Sequence, residues 1–201
     1  MTGELERLRR RYQDHESGLL GASRSYAVLC PLVEKPDGLH LLFEVRSSQV
    51  SQGGEVCFPG GRMEPGETPR DCALRETEDE LSIPRGEITL LGEPDFICNQ
   101  RGFLLRPVLG LASPAGLRTL RPSPAEVAEV FTVPLAFFRE TPPEPWSYEL
   151  VPQVPEDFPY GPVGIPRDYP WSHGRVEIPI WRYEGHAVWG MTARLVKEII
   201  R

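Results

Sequence analysis

Gly61-Arg-Met-Glu-Pro-Gly-Glu67-Thr-Pro-Arg-Asp-Cys-Ala-Leu-Arg75-Glu76-Thr-Glu-Asp79-Glu80-Leu-Ser82-Ile83 is the most informative segment of this 201-residue chain. It carries the start and stop signals of a helix. Thr68 suits the N-cap, Pro69 the first helical position, and Asp71 the acid of a capping box. Pro84 disfavours helical geometry at Ile83, so the helix is expected to close at Ser82-Ile83. Ala73, Thr77 and Leu81 form the stripe expected to face inward, leaving Arg75, Glu76, Asp79 and Glu80 mostly on other faces. Glu76 and Glu80 stand four apart and Asp79 three from Glu76, so the three carboxylates share one stripe. Like charges at that spacing weaken an isolated helix. A hard divalent cation such as Mg2+ converts the repulsion into coordination. The pattern predicts a metal site for phosphate chemistry, with Glu76, Asp79 and Glu80 as its ligands.

Just upstream, Phe58-Pro59-Gly60-Gly61 is a turn in which two glycines allow backbone shapes closed to other residues. Bare N–H groups at Gly60 and Gly61 can approach a phosphate closely, which makes both candidate substrate-binding positions. An acidic helical run is ordinarily a solvated face. Here the glycine turn, Glu67, Arg75 and the cap arrive together at fixed intervals.

With that spacing, the segment resembles the Nudix box, G-x5-E-x7-R-E-U-x-E-E-x-G-U, where U is a bulky aliphatic residue. Gly61, Glu67, Arg75, Glu76, Glu80 and Ile83 match it. Thr77 stands in place of an aliphatic residue, Asp79 in place of the first glutamate of the pair, and Ser82 in place of the glycine. Ser82 would cost about 1 kcal/mol if a left-handed C-cap is required there. Asp79 is one methylene shorter than glutamate, so it is expected to reach a metal through water. The resemblance implies an α/β/α sandwich with a mixed sheet. It also implies Mg2+ (or Mn2+) as cofactor, and Arg75 and Glu67 orienting the carboxylates of Glu76 and Glu80 from behind.

The preceding residues narrow the resemblance. Leu41-Leu-Phe-Glu-Val-Arg46-Ser47, then Gly54-Glu-Val-Cys-Phe58-Pro-Gly-Gly61, is similar to the coenzyme A pyrophosphatase signature L-L-T-x-R-[SA]-x3-R-x3-G-x3-F-P-G-G. Arg46, Ser47, Gly54 and Phe58 through Gly61 have counterparts. The chain is one residue shorter between Arg46 and Gly54, and Val50 or Ser51 stands where the second arginine would be. Gly185-His-Ala-Val-Trp189-Gly190 is similar to the tryptophan-glycine segment that opens the last helix in that family. The resemblance implies hydrolysis of the pyrophosphate linkage of coenzyme A or acyl-CoA to 3′,5′-ADP and a 4′-phosphopantetheine product. Arg46 is the first candidate to grip substrate phosphate, ahead of Arg62, Arg101 and Arg106. In Nudix relatives an acid outside the box often serves as base or extra ligand; Glu126 is the candidate, with Glu129 second. The alternatives are cleavage of ADP-ribose or a dinucleotide, and a Nudix sensor that binds nucleotide without cleaving it.

A formal net charge of −7 argues against general nucleic-acid binding and does not exclude a polyphosphate screened by Mg2+. Four scattered cysteines (Cys30, Cys57, Cys72, Cys98) lack zinc spacing and are expected to be buried, reduced thiols. No apolar run approaches a membrane helix, no secretory leader is evident, and Glu-Ile-Ile-Arg201 is no peroxisomal address. These features predict a cytoplasmic protein with a small-molecule partner, no membrane attachment, and a possible homodimer.

One domain is expected over residues 1–201. Leu5, Leu8 and Tyr12 predict an amphipathic leading helix over 3–17, within a leading segment 1–20. Strands are expected over 25–34 and 39–45 about an Asp37-Gly38 turn, and over 87–91, 103–111 and 176–183. Residues 124–131 read as a short helical turn, and 191–200 as a final helix. Residues 140–175 interleave prolines with Trp146, Tyr148, Phe158, Tyr160, Tyr169 and Trp171, excluding a regular helix or central strand. This insertion is either an ordered flap or dimer arm that stacks on a nucleotide base, or a surface loop packing its own aromatics.

Overall fold

Residues 3–15, 18–21 and 24–201 are described by a computed structural model. In chain order its elements are α1 (Gly3–Tyr12), β1 (Arg24–Lys35), β2 (Gly38–Arg46), β3 (Val56–Cys57), β4 (Gly60–Arg62) and α2 (Pro69–Leu81). There follow β5 (Ile88–Gly92), β6 (Ile97–Cys98), β7 (Phe103–Ala112), α3 (Pro114–Thr119), β8 (Val127–Pro134) and α4 (Leu135–Glu140). The chain closes with β9 (Glu144–Leu150), α5 (Tyr160–Val163), β10 (Gly174–Tyr183), β11 (His186–Trp189) and α6 (Gly190–Ile199).

β1 and β2 form a hairpin whose turn ends at Gly38, with φ +127°. Their pairing covers only Leu32–Lys35 against Gly38–Leu41, after which the strands part. β3 fills the gap against β2, and β4 fills it against β1. β7 lies parallel to the other edge of β1, β5 and β6 lie antiparallel to β7, and β8 runs antiparallel along β2. The sheet is therefore mixed. β9, β10 and β11 form a second, antiparallel sheet with β10 in the centre.

Side-chain alternation along the strands sets the layers. Ala27, Leu29, Val33, Leu42 and Val108 face α2, where they meet Cys72, Ala73, Leu81 and Ile83. Cys30, Leu32, Leu41 and Phe43 face the opposite way, toward Phe138 of α4, Trp181 of β10, Val188 of β11 and Leu195 and Val196 of α6. The result is the expected α/β/α sandwich, each buried aliphatic contributing about 1.5–3 kcal/mol.

α2 follows its sequence signals closely. Thr68 Oγ1 accepts from the Asp71 N–H at 3.2 Å, and Pro69 opens the helix. Ser82 closes it in the left-handed region at φ 59°, its N–H donating to Glu78 O at 2.9 Å. The Ser82 hydroxyl adds a bond to Arg121 O at 3.0 Å. Ser82→Ala keeps the backbone strain and loses that bond, so thermal unfolding is expected to show a cost of about 1 kcal/mol. In Ser82→Gly, relief of the strain offsets the lost bond, and the net change is expected to be near zero.

Four expectations need correction. The inward stripe of α2 also contains Cys72 and Glu80; Glu80 is only 3% exposed because a backbone donor waits for its carboxylate. The leading helix stops at Tyr12, short of the expected residue 17, and Leu5, Leu8 and Tyr12 are exposed; residues 16 and 17 lie outside the described residues. Only 124–126 form a turn, and the chain is extended from Val127 because the open edge of β2 pairs with it over its whole length. Not all four cysteines are buried: Cys57 is half-buried and Cys98 exposed. Within 140–175, Glu144–Leu150 forms an edge strand, which the proline content allows. Phe158 meets Tyr160 and Trp171 edge-on at 4.9 and 5.5 Å, and Trp171 meets Tyr169 at 5.1 Å. The insertion thus packs its own aromatics, while Trp146 and Tyr148 on β9 stay exposed.

Candidate active site

The place where β1 and β2 part is where α2 delivers its carboxylates. Gly60 on β4 lies against Val28 of β1, and its N–H donates to Glu80 Oε2 at 2.8 Å. A Cβ at Gly60 would stand 2.3 Å from Ala27 O and 2.6 Å from Val28 Cα, so the close approach of strand and turn requires glycine. A Cβ at Gly61 would stand 2.4 Å from Glu76 Cδ. The two glycines thus make room for β1 and for Glu76, and the Gly60 N–H is held by Glu80.

Arg75 organises the helix surface. Its Nε and Nη2 donate to the two oxygens of Glu67 at 2.9 and 3.0 Å, a two-pronged fork. Nη1 donates to Glu76 Oε1 at 2.7 Å and lies 3.9 Å from Asp79 Oδ2. Glu67 also accepts from the Glu64 N–H at 2.9 Å. The hydrogen bonds from Arg75 hold the Glu67 carboxyl down at about 2, well below the usual range. The Asp79 side chain is 66% exposed.

Sequence reasoning missed one carboxylate, Glu44. It lies on β2 at an even position, on the α2 side with Leu42, and is 1% exposed. Cys57 stands directly opposite on β3, and its thiol donates to Glu44 Oε1 at 3.2 Å. Glu44 Oε2 is buried with no hydrogen-bond partner. The signal in the sequence was an acid inside the apolar run Leu41-Leu-Phe-Glu-Val45.

Burial first, and then the Glu44 charge, push the Glu80 carboxyl well above its ordinary value, with Glu76 and Glu126 acting the same way. Burial likewise raises Glu44, with the Glu126 charge adding to it. Glu126, whose charge reaches both, stands on the exposed turn that enters β8; its carbonyl accepts from the Ser47 N–H at 2.8 Å. Glu129 does not join them; it pairs with His186 Nε2 at 3.1 Å on the far side of the sheet, where His186 stacks on Phe131 at 3.8 Å.

Arg46 ends β2 beside the cluster, and its Nε donates to Ser51 O at 3.0 Å across the short turn to Gly54. Arg62, on β4, lines a cavity of about 600 Å³ with Arg24, Ser25, Met63, Glu64 and Pro65. Arg106 lies over the Phe96 ring at 4.8 Å.

Among the described residues, no three ligand-type side chains are already drawn around one point. Glu76 is turned to Arg75, Glu80 to the Gly60 N–H, and Asp79 to solvent. The donor set still fits a hard divalent cation. Among the described residues no basic side chain forms an ion pair with Glu44, Glu80 or Glu126, and oxygen is the only strong donor they offer. Such a cation would satisfy the buried oxygens and remove the repulsion between them.

Comparison with known proteins identifies the family of the chain. The NUDIX domain matches residues 23–154. A Nudix hydrolase NudL of Photorhabdus laumondii is 31% identical over 178 residues, covering 88% of this chain and 83% of its own length. The mitochondrial coenzyme A diphosphatase NUDT8 of Homo sapiens is 31% identical over 194 residues, covering 95% of this chain and 74% of its own. Among solved structures, the Nudix hydrolase RenU of M. smegmatis aligns with a TM-score of 0.49 at 23% identity, over 58% of this chain and 73% of its own. A domain match over most of the chain, laid on a glycine turn, an arginine fork and a carboxylate-bearing helix, makes this chain a member of the Nudix family and a pyrophosphohydrolase.

Proposed function

We propose that the protein hydrolyses the pyrophosphate linkage of coenzyme A or acyl-CoA, with Mg2+ or Mn2+, to 3′,5′-ADP and (acyl-)4′-phosphopantetheine. The observation that carries the chemistry is the Arg75 fork, which fixes Glu67 and Glu76 beside the buried Glu80. The substrate assignment is supported by the Arg46-Ser47 and Phe58–Gly61 resemblance and by the human relative, a coenzyme A diphosphatase.

Glu76 and Glu80 would hold the cation, with Asp79 reaching it through water. When bound, the cation neutralises phosphate oxygens and lowers the pKa of water. Arg75 and Glu67 keep Glu76 in one orientation. Glu126, exposed at the mouth and close to Glu80, accepts the proton of the attacking water. Arg46, with one guanidinium nitrogen on Ser51 O, presents the others to phosphate.

Arg75→Lys cannot form the fork to Glu67, so turnover is expected to fall about 10- to 100-fold while the thermal midpoint changes little. Steady-state kinetics beside a melting curve checks both.

The direct experiment measures hydrolysis of coenzyme A, ADP-ribose, NADH and a diadenosine polyphosphate with Mg2+ or Mn2+, products identified by mass. Selective release of 3′,5′-ADP from coenzyme A is expected, and chelation of the metal should abolish it. Preference for ADP-ribose or a dinucleotide would move the specificity; the absence of an arginine at Val50 or Ser51 favours that second reading. Binding without turnover of any substrate would leave a sensor.

The proposed unit is one domain over 1–201, supported by α6 and Trp181 packing into the same core as β2. A reducing compartment such as the cytoplasm is proposed from the four free cysteines. No helix among the described residues is long and apolar enough to cross a membrane.

A further inference from the structure

Glu44 has an environment that its neighbours in sequence do not explain. It is the only acidic residue of β2, and the residues flanking it, Leu42, Phe43 and Val45, pack into apolar clusters. An acid in such a run is ordinarily selected against unless its oxygens are satisfied. One oxygen is: Oε1 accepts from the Cys57 thiol at 3.2 Å, a weak donor. The other is not. Oε2 is buried without a partner, on a side chain that is 1% exposed.

Its position gives that oxygen a purpose. The even residues of β2 share the face covered by α2, the face on which Glu80 is also buried. Glu80 and Glu126 are both near enough for their charges to act on Glu44, or its charge on them. Glu80 arrives from α2, Glu126 from the turn before β8, and Glu44 from the floor between them. Three chain segments far apart in sequence thus bring carboxylates within reach of one another's charge, and the most deeply buried holds an oxygen in reserve.

We infer that Glu44 is an additional metal-binding carboxylate, supplying Oε2 to the divalent cation held by Glu80, with Cys57 fixing its orientation through Oε1. A purely structural role, a carboxyl kept only to hold Cys57, would leave Oε2 unsatisfied whether or not metal is present. As a metal ligand the residue has both oxygens used, and the carboxylates no longer repel one another.

The inference rests on the reading of the protein as a metal-dependent hydrolase, and its test is read from metal binding. Mn2+ is titrated into wild type and Glu44→Gln, with free Mn2+ followed by electron paramagnetic resonance. Circular dichroism and the metal-free melting midpoint report the fold. Mn2+ affinity is expected to fall about tenfold or more in Glu44→Gln, with the fold retained. Wild-type affinity and stoichiometry in a folded Glu44→Gln would overturn the assignment. Should Glu44→Gln fail to fold, Glu44→Asp keeps the charge and withdraws its oxygens by one methylene. The same loss of affinity is then expected, and unchanged affinity overturns the inference. Wild type that binds Mn2+ but hydrolyses none of the four substrates removes the hydrolase reading, while the Glu44 comparison still decides this one. Wild type that binds no Mn2+ removes both.

Discussion

Glu80→Gln is expected to lose Mg2+-dependent turnover at least about a hundredfold, or about 2.7 kcal/mol of transition-state stabilisation, while remaining folded. The glutamine amide oxygen can still accept from the Gly60 N–H, the contact that Glu80 makes at 2.8 Å. The substitution also removes an acid whose ionisation burial and the Glu44, Glu76 and Glu126 charges oppose, so the metal-free midpoint should be unchanged or higher. It takes away only the anionic oxygen that a divalent cation needs. Kinetics with Mg2+ or Mn2+, paired with a melting curve, checks both halves. Wild-type-like activity in the folded variant would remove Glu80 from the metal site.

Gly60→Ala should act on the opposite side of that ledger. The new Cβ would stand 2.3 Å from a main-chain oxygen and 2.6 Å from a Cα of β1, atoms that cannot swing away. The backbone there has φ +155°, where an L side chain is strained. Overpacking costs about 1–3 kcal/mol and a forced backbone conformation a similar amount. The variant is therefore expected to be destabilised by roughly 3 kcal/mol or more in urea unfolding. Two neighbouring glycines are controls. Gly66→Ala meets nothing within 4 Å at φ +82° and should cost only about 1 kcal/mol. In Gly61→Ala the obstacle is the end of the Glu76 side chain, at 2.4 Å, which can turn aside. That variant should fold and lose activity, separating the turn's mechanical role from its chemical one. A Gly60→Ala midpoint within that of Gly66→Ala would refute the tight-approach account.

Local signals in the sequence were read well where local physics decides the outcome. Thr68, Pro69 and the Ser82-Ile83-Pro84 stop delimit α2 as found, because caps and proline act over a few residues. The strands at 25–34, 39–45, 103–111 and 176–183 were visible from their apolar pattern. Where a distant partner decides, the reading failed. Residues 127–131 extend because β2 offers them an edge some eighty residues upstream, and no nearby residue announces it. Glu80 turns inward because Gly60 supplies a donor from another segment. Glu44 escaped for the same reason: its meaning depends on Cys57, Glu80 and Glu126, none adjacent in the chain. The wandering 140–175 stretch was legible as proline-limited, and its edge strand obeys that limit.

The parting of β1 and β2 also governs the order in which the molecule can assemble. The hairpin about Asp37-Gly38 needs only adjacent residues and can close within microseconds. The sheet around the carboxylates needs β7, then β8, each reached by closing a long loop. The last tie is later still: the Thr192 hydroxyl donates to Val56 O across 136 residues. Contacts this non-local slow folding, and a growing chain cannot make them until its final helix has been synthesised. Until then the face of the sheet opposite α2, with Cys30, Leu32, Leu41 and Phe43, lacks the cover that Ala193, Leu195 and Val196 supply. A chain truncated before α6 is thus more than a shorter enzyme: it is an arrested intermediate with an uncovered apolar face, prone to aggregate before it can hold a cation.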